Sequence, residues 1–182
     1  MFKIAIASIF ALAALFPPAL AAQPPEHVVK ARVLLSRESV RPGETFAAAV
    51  ILEIQAGYHI NDNAPLDEFM IPTTLAVAGH ADFEILETLF PAGRPARFEY
   101  SEAELAVYEG EVVIGLLLKA KAKASPGAKT LEASVGYQAC DNATCLPPKE
   151  LSLVIAVPVA ASGGSAIHSE VFEKLRFRSL HK

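Results

Sequence analysis

A chain of 182 residues with 16 Lys and Arg against 20 Asp and Glu carries a formal charge of −4 at pH 7. That mild acidity, with no Lys/Arg cluster to contradict it, argues against a nucleic-acid partner. The length suits a single domain, large enough to build a core without disulfide support.

The chain opens as an export signal. Met1-Phe2-Lys3 is a short positive segment, Ile4 to Phe16 is apolar apart from Ser8, and Ala19-Leu20-Ala21 supplies small residues at the cleavage spacing. The apolar run falls short of the ~20 residues of a membrane-spanning helix, and Pro17-Pro18 ends it. Residues 1–21 are therefore expected to be removed, leaving Ala22 as the mature start and no integral membrane segment. Gln23-Pro24-Pro25-Glu26 is an extended leader.

Segments with period-two alternation follow, separated by turn residues. Val29, Ala31, Val33 and Leu35 alternate with Lys30 and Arg32. Arg41-Pro42-Gly43-Glu44 turns into a strand with Phe46, Ala48, Val50, Leu52 and Ile54 on one face. Tyr58-His59-Ile60-Asn61, Ile71 to Val77 and Phe83 to Phe90 are the next candidates. Tyr108 to Leu118 reads as one strand with Val112, Ile114, Leu116 and Leu118 facing inward. After a turn at Ser125-Pro126-Gly127, Thr130 to Tyr137 runs into a cysteine loop, and Leu151 to Ala161 reads as a final buried strand. This is the pattern of an all-β antiparallel sandwich or barrel. Ser162-Gly163-Gly164-Ser165 reads as a flexible linker. Glu170 to Arg176 could form one or two amphipathic turns, with Phe172 and Leu175 facing one way. The expected organisation is a signal at 1–21, one β domain at 22–160, and a linker with a short basic tail at 161–182.

The two cysteines, Cys140 and Cys145, are separated by four residues. Export places both thiols where disulfides form and persist. A bridge closing so short a loop stabilises by only about 2 kcal/mol in chain-entropy terms. From spacing alone the pair is either a local staple or a redox couple. As a couple it needs one accessible sulfur; Asp141 would oppose thiolate formation, and Lys149 would favour it if it folds back. A zinc site wants four ligands at close spacing, whereas His27, His59, His80, His168 and His181 are scattered. Neither a metal nor a cofactor is expected.

Four strings occur in order: Gly57-Tyr58-His59-Ile60-Asn61, Pro65-Leu66-Asp67-Glu68-Phe69, Val107-Tyr108-Glu109-Gly110-Glu111, and Tyr137-Gln138-Ala139-Cys140 through Cys145-Leu146-Pro147-Pro148. Together they resemble the periplasmic N-terminal domain of the DsbD thiol:disulfide interchange protein, the disulfide bond corrector family, over about residues 28–158. The resemblance implies an immunoglobulin-like sandwich with the cysteines near one end. It implies a periplasmic thiol:disulfide oxidoreductase that relays electrons. A thioredoxin-like donor fed from the inner membrane would reduce it, and periplasmic disulfide isomerases or cytochrome c maturation thioredoxins would accept from it. By position, Cys145 matches the cysteine that forms mixed disulfides and Cys140 the one that resolves them. Phe98-Glu99-Tyr100-Ser101 lies where the family carries a cap loop over the pair. His59 and Asn61 fall where family aromatics line the site, and Tyr108 and Tyr137 are expected to complete the lining. Asp67-Glu68-Phe69 spells the string of the best-known cap but lies too early in the chain to be one. That best-known member also has five residues between its cysteines, and it carries membrane and thioredoxin domains not found in this sequence. The expected module therefore draws electrons from a separate protein. The rival expectation is a non-catalytic immunoglobulin-like binding module with Cys140–Cys145 as a structural disulfide.

Overall fold

The computed structural model describes residues 27–178 except 66 and 68, so the expected signal, its cleavage point, the leader and the last four residues lie outside the described residues. Strands β1 (Val29–Leu35), β2 (Thr45–Ile54), β3 (His59–Asn61), β4 (Thr74–Val77), β5 (Phe83–Leu89) and β6 (Arg94–Ala96) come first. They are followed by β7 (Leu105–Tyr108), β8 (Glu111–Ala120), β9 (Gly127–Tyr137), β10 (Ala139–Cys140), β11 (Lys149–Val159) and one helical turn, α1 (Ser169–Phe172).

Three antiparallel sheets result, ordered β1-β2-β8-β5, β11-β9-β4 and β10-β3-β7-β6. The first two are the layers of an immunoglobulin-like sandwich. Phe46, Val50 and Leu52 of β2 and Ile114, Leu116 and Leu118 of β8 meet Leu131 and Val135 of β9 and Ile155 and Val157 of β11 in one buried core. Each is the inward member of a period-two alternation, so burying one face of each sheet satisfies the whole pattern. The third sheet is a continuation of the sandwich. The chain passes from β2 to β3, from β7 to β8 and from β9 to β10 within a few residues.

One expected strand is divided. Tyr108 to Leu118 reads as continuous, but β7 belongs to the small sheet and β8 to the large one. Gly110 between them sits at φ 65°, a conformation open to glycine at little cost, and its carbonyl accepts from Ile54 N at 2.8 Å.

The C-terminal segment also departs from expectation. Residues 162–165, expected as a flexible linker, are zipped against the β1–β2 connection. Gly164 N donates to Ser39 O at 2.8 Å, Glu38 N to Ser165 O at 3.0 Å, and Ile167 N to Ser36 O at 3.1 Å. Beyond α1 the tail crosses the outer face of the large sheet. Phe177, 3% exposed, is buried with Ala47 and Leu117, and Phe172, Leu175 and Leu89 pack around them. The cause lies in β2 and β8, whose outward residues are also apolar and need a cover. Gly115 makes room for it: a Cβ there would stand 2.9 Å from Phe177 Cζ.

Phe177→Ala is expected to cost about 3 kcal/mol, the usual loss for a buried phenylalanine, and to free the tail. Urea unfolding with limited proteolysis checks this. An unchanged midpoint and a protease-resistant tail would show that the contact carries no packing energy.

Candidate functional site

The cysteine loop is a tight reversal that holds itself. Leu146 N donates to Ala139 O at 2.8 Å and Asp141 N to Thr144 O at 2.9 Å, which makes Cys140 and Cys145 a directly opposed, non-hydrogen-bonded pair. In an antiparallel ladder that is where facing side chains come closest. The two are joined by a disulfide with Cα atoms 3.9 Å apart. At the tip, Asp141 Oδ1 accepts from Ala143 N at 2.9 Å and Thr144 N at 2.8 Å, closing an Asx turn. The amide of Gln138 braces the exit, donating to Leu146 O at 3.1 Å.

On its other side Cys140 pairs with His59 of β3. Residues opposed in register share a face of the sheet, so Cys145, Cys140 and His59 form one cross-strand row. Ile60 is paired with Tyr108 and Asn61 with Val107, so the next register step sets Glu109 beside His59. Cys140 is 1% exposed and His59 2%, whereas Cys145 is partly exposed.

Two further rings, Phe98 and Tyr100, pack against the His59 end of the row. His59 Nε2 lies 2.6 Å from Tyr100 Oη. Their ring planes differ by 8° with centroids 6.1 Å apart, as two rings joined edge to edge require. Phe98 stacks on His59 at 3.8 Å and lies 5.4 Å from Tyr100 in a nearly parallel plane, so it covers the seam between them. The loop carrying Phe98 and Tyr100 is also tied to the cysteine loop. Glu99 N donates to Asn142 O at 3.3 Å, and Asn142 Nδ2 donates back to Glu99 Oε1 at 3.2 Å. Beside this lid a cleft of about 550 Å³ runs between His59, Phe98, Asn142, Arg94 and Glu109. Arg94 and Glu109 are ion-paired at its rim at 2.6 Å.

Burial pulls the His59 imidazole below its usual value, opposed by the negative charges of Glu109 and Asp141. Burial, helped by the Asp141 charge, pushes the Tyr100 phenol up to about 12. Asp141 is held below the usual carboxylate range by the two N–H groups it accepts. At neutral pH the site therefore holds a neutral imidazole against a neutral phenol, with one carboxylate on the exposed loop.

Of the residues expected at the site, Cys140, Cys145, His59, Phe98 and Tyr100 come together. Asn61 lies two residues along β3 from His59, and its amide donates to Ile71 O at 3.0 Å, so it anchors the loop after β3. Tyr108 and Tyr137 face the sandwich core instead. The Tyr108 hydroxyl reaches Asn63 Oδ1 at 3.0 Å and Pro91 O at 2.8 Å. Lys149 begins β11 as the register partner of Tyr137. Phe69 stands 82% exposed. The tie between Glu99 and Asn142 had no sequence signal, because it joins two loops about forty residues apart through exposed polar groups. Among the described residues no group of three or more His, Cys, Asp or Glu is placed to hold a metal, and no helix is long and apolar enough to cross a membrane.

Residues 28–156 match the family described as thiol:disulfide interchange protein DsbD, N-terminal. Among solved structures the chain is similar to the Neisseria meningitidis DsbD N-terminal domain in its reduced form, at 18% identity and TM-score 0.45, covering 75% of this chain and 91% of that one. It is similar to the N-terminal periplasmic domain of ScsB from Proteus mirabilis, at 14% identity and TM-score 0.53, covering 83% of this chain and 53% of that one. It is also similar to a complex between the DsbD and PilB N-terminal domains from Neisseria meningitidis, at 18% identity and TM-score 0.47, covering 74% and 88%. The ScsB likeness is one of fold. No curated protein matches the chain.

The Asx turn gives a pH test. Because the folded Asp141 carboxyl titrates below its ordinary 3.8, the turn is complete above that pH and is lost as pH falls through the lowered folded value. The Ala143 and Thr144 amide shifts, followed by NMR, are expected to titrate with a midpoint below 3.8. Asp141→Ala should abolish that titration with the turn already open. Asp141→Asn, which keeps an acceptor, should hold the turn closed through acid. Amides indifferent to both changes would rule the turn out.

Proposed function

The chain belongs to the DsbD N-terminal family, and from that premise we propose that it exchanges electrons with partner proteins through Cys140 and Cys145. The observation that carries this reading is the asymmetry of the pair: Cys145 is partly exposed, while Cys140 is 1% exposed beside the buried His59. Thiol–disulfide exchange needs one reachable sulfur for the mixed disulfide and a second sulfur within reach of it to resolve it. Cys145 takes the first role and Cys140 the second. Phe98 and Tyr100 govern access, since both pack on the His59 ring next to Cys140 and their loop is tied to the cysteine loop.

A staple is the weaker reading. The loop is already closed by an Asx turn and by two ladder bonds beside the cysteines. A disulfide across so short a span adds only about 2 kcal/mol. Family membership and the expected N-terminal signal support a periplasmic site of action, with residues 22–160 as the proposed working domain and the tail as its cover. The same membership supports a thioredoxin-like donor, and a disulfide isomerase or cytochrome c maturation thioredoxin as acceptor.

Two outcomes test the roles. Cys140→Ser should accumulate a mixed disulfide through Cys145 when the reduced protein meets a disulfide-bonded thioredoxin-like protein, and Cys145→Ser should not; trapping by the reverse variant alone would exchange the roles. Loosening the lid should also matter. Tyr100→Phe with Phe98→Ala removes a hydrogen bond and a stack worth about 1–2 kcal/mol together. The disulfide should then be reduced by a small thiol about tenfold faster. An unchanged rate would show that the lid does not control access.

A further inference from the structure

We propose that His59 is the base that takes the proton from the Cys140 thiol, so that Cys140 can resolve the mixed disulfide. The proposal rests on the exchange reading above and names a residue for its second step. In that step Cys145 is already bonded to a partner sulfur. The proton of Cys140 Sγ passes to the imidazole, and the freed sulfur electron pair attacks Cys145 Sγ. The bond between Cys145 and the partner breaks, and its electron pair leaves on the partner sulfur. The domain's dithiol has then become a disulfide, and the partner's disulfide has become two thiols once the leaving thiolate regains a proton.

The need for a base follows from burial. A shielded thiol keeps its proton, since desolvation disfavours the thiolate, and at 1% exposed Cys140 is closed to bases in solution. Asp141 adjoins it, but its carboxylate is committed to two backbone N–H groups and is a poor proton acceptor for that reason. His59 is the register partner of Cys140, which sets their Cβ atoms about 5 Å apart on one face.

The surroundings of His59 fit the role at both ends of the transfer. Before it, burial keeps the ring neutral and able to accept. Tyr100 remains a phenol across the physiological range and can accept from Nε2–H at 2.6 Å. In the tautomer whose Nε2–H donates to Tyr100 Oη, the Nδ1 lone pair is free, on the side of the ring nearer the strands, and that is the form the transfer requires. After it, the imidazolium faces the charges of Glu109 from the β7–β8 corner and Asp141 from the cysteine loop, both of which favour it. The remaining charged groups are Arg94 of β6, already ion-paired with Glu109, and Glu99 of the lid, tied to Asn142.

The experiment mixes the reduced protein with the aromatic disulfide dithionitrobenzoate and follows two releases of coloured thiol, the first by Cys145 and the second by Cys140. His59→Gln and His59→Phe should slow the second release about 100-fold near neutral pH, the low end of general-base catalysis, without slowing the first. In the unmodified protein the second step should stay flat through 6.5 and decline only as pH falls through the lowered His59 value beneath it. In both variants it should instead rise with pH through the neutral range and converge on the unmodified protein as the thiol itself ionises. Tyr100→Phe, which keeps the base but loses control of its tautomer, should give a smaller slowing of the same step. A second release at the unmodified rate, or a slowed one that retains the original pH profile, overturns the role of His59. If the unmodified protein gives one release and no second, the exchange reading itself fails.

Discussion

Cys140 is paired on both sides, and the site is built outward from that constraint. β10 is only two residues long, yet it pairs with His59 on one flank and with Cys145 on the other. Residues opposed across antiparallel strands share a face, so one register fixes a sulfur, a second sulfur and an imidazole in a row. A slip of one residue would turn Cys140 into the core and separate it from both neighbours. Burial, the lid and the electrostatics of the site depend on that row being in place.

The register is held from outside the site. Ala139, Ile60 and Tyr108 alternate with Cys140, His59 and Glu109 and point into the main core, so sandwich packing determines which face of the small sheet carries the cysteine row. Tyr108 adds a further constraint, since its buried hydroxyl ties β7 to the loops at Asn63 and Pro91. The lid is joined more lightly. It rests on one stacked ring, one hydrogen bond to His59 and two exposed polar contacts with Asn142. A floor packed into the core under a lightly held loop is the arrangement the proposed exchange requires.

Much of this was legible before the structure. The inward residues of β2 and β8 alternate strictly, and the close cysteine pair stood out in an otherwise ordinary β pattern. The resemblance puts Phe98, Tyr100 and His59 in one neighbourhood, and their rings do meet. The faces of Tyr108 and Tyr137 were misjudged, although parity held the clue for one of them: Tyr137 and Cys140 are three positions apart, so a continuing strand puts them on opposite faces. The amphipathic turns of the tail are legible in Phe172 and Leu175, but the surface they cover is not. The unbroken apolar run Phe46 to Leu52 signals a strand covered on both sides, but nothing local says that Phe177, more than a hundred residues on, supplies the cover. The meeting of His59 with Tyr100 was likewise invisible, because it depends on where a loop folds back and not on any pattern within it.

The central claim is that the Cys140–Cys145 disulfide is there to be opened and remade. The most direct measurement is its reduction potential in the mature protein, by equilibration against a glutathione buffer. The account predicts a value within the roughly −180 to −270 mV spanned by proteins that exchange disulfides. A potential well below about −300 mV, the range of structural bridges, would contradict it and leave a stapled sandwich with a sealed site.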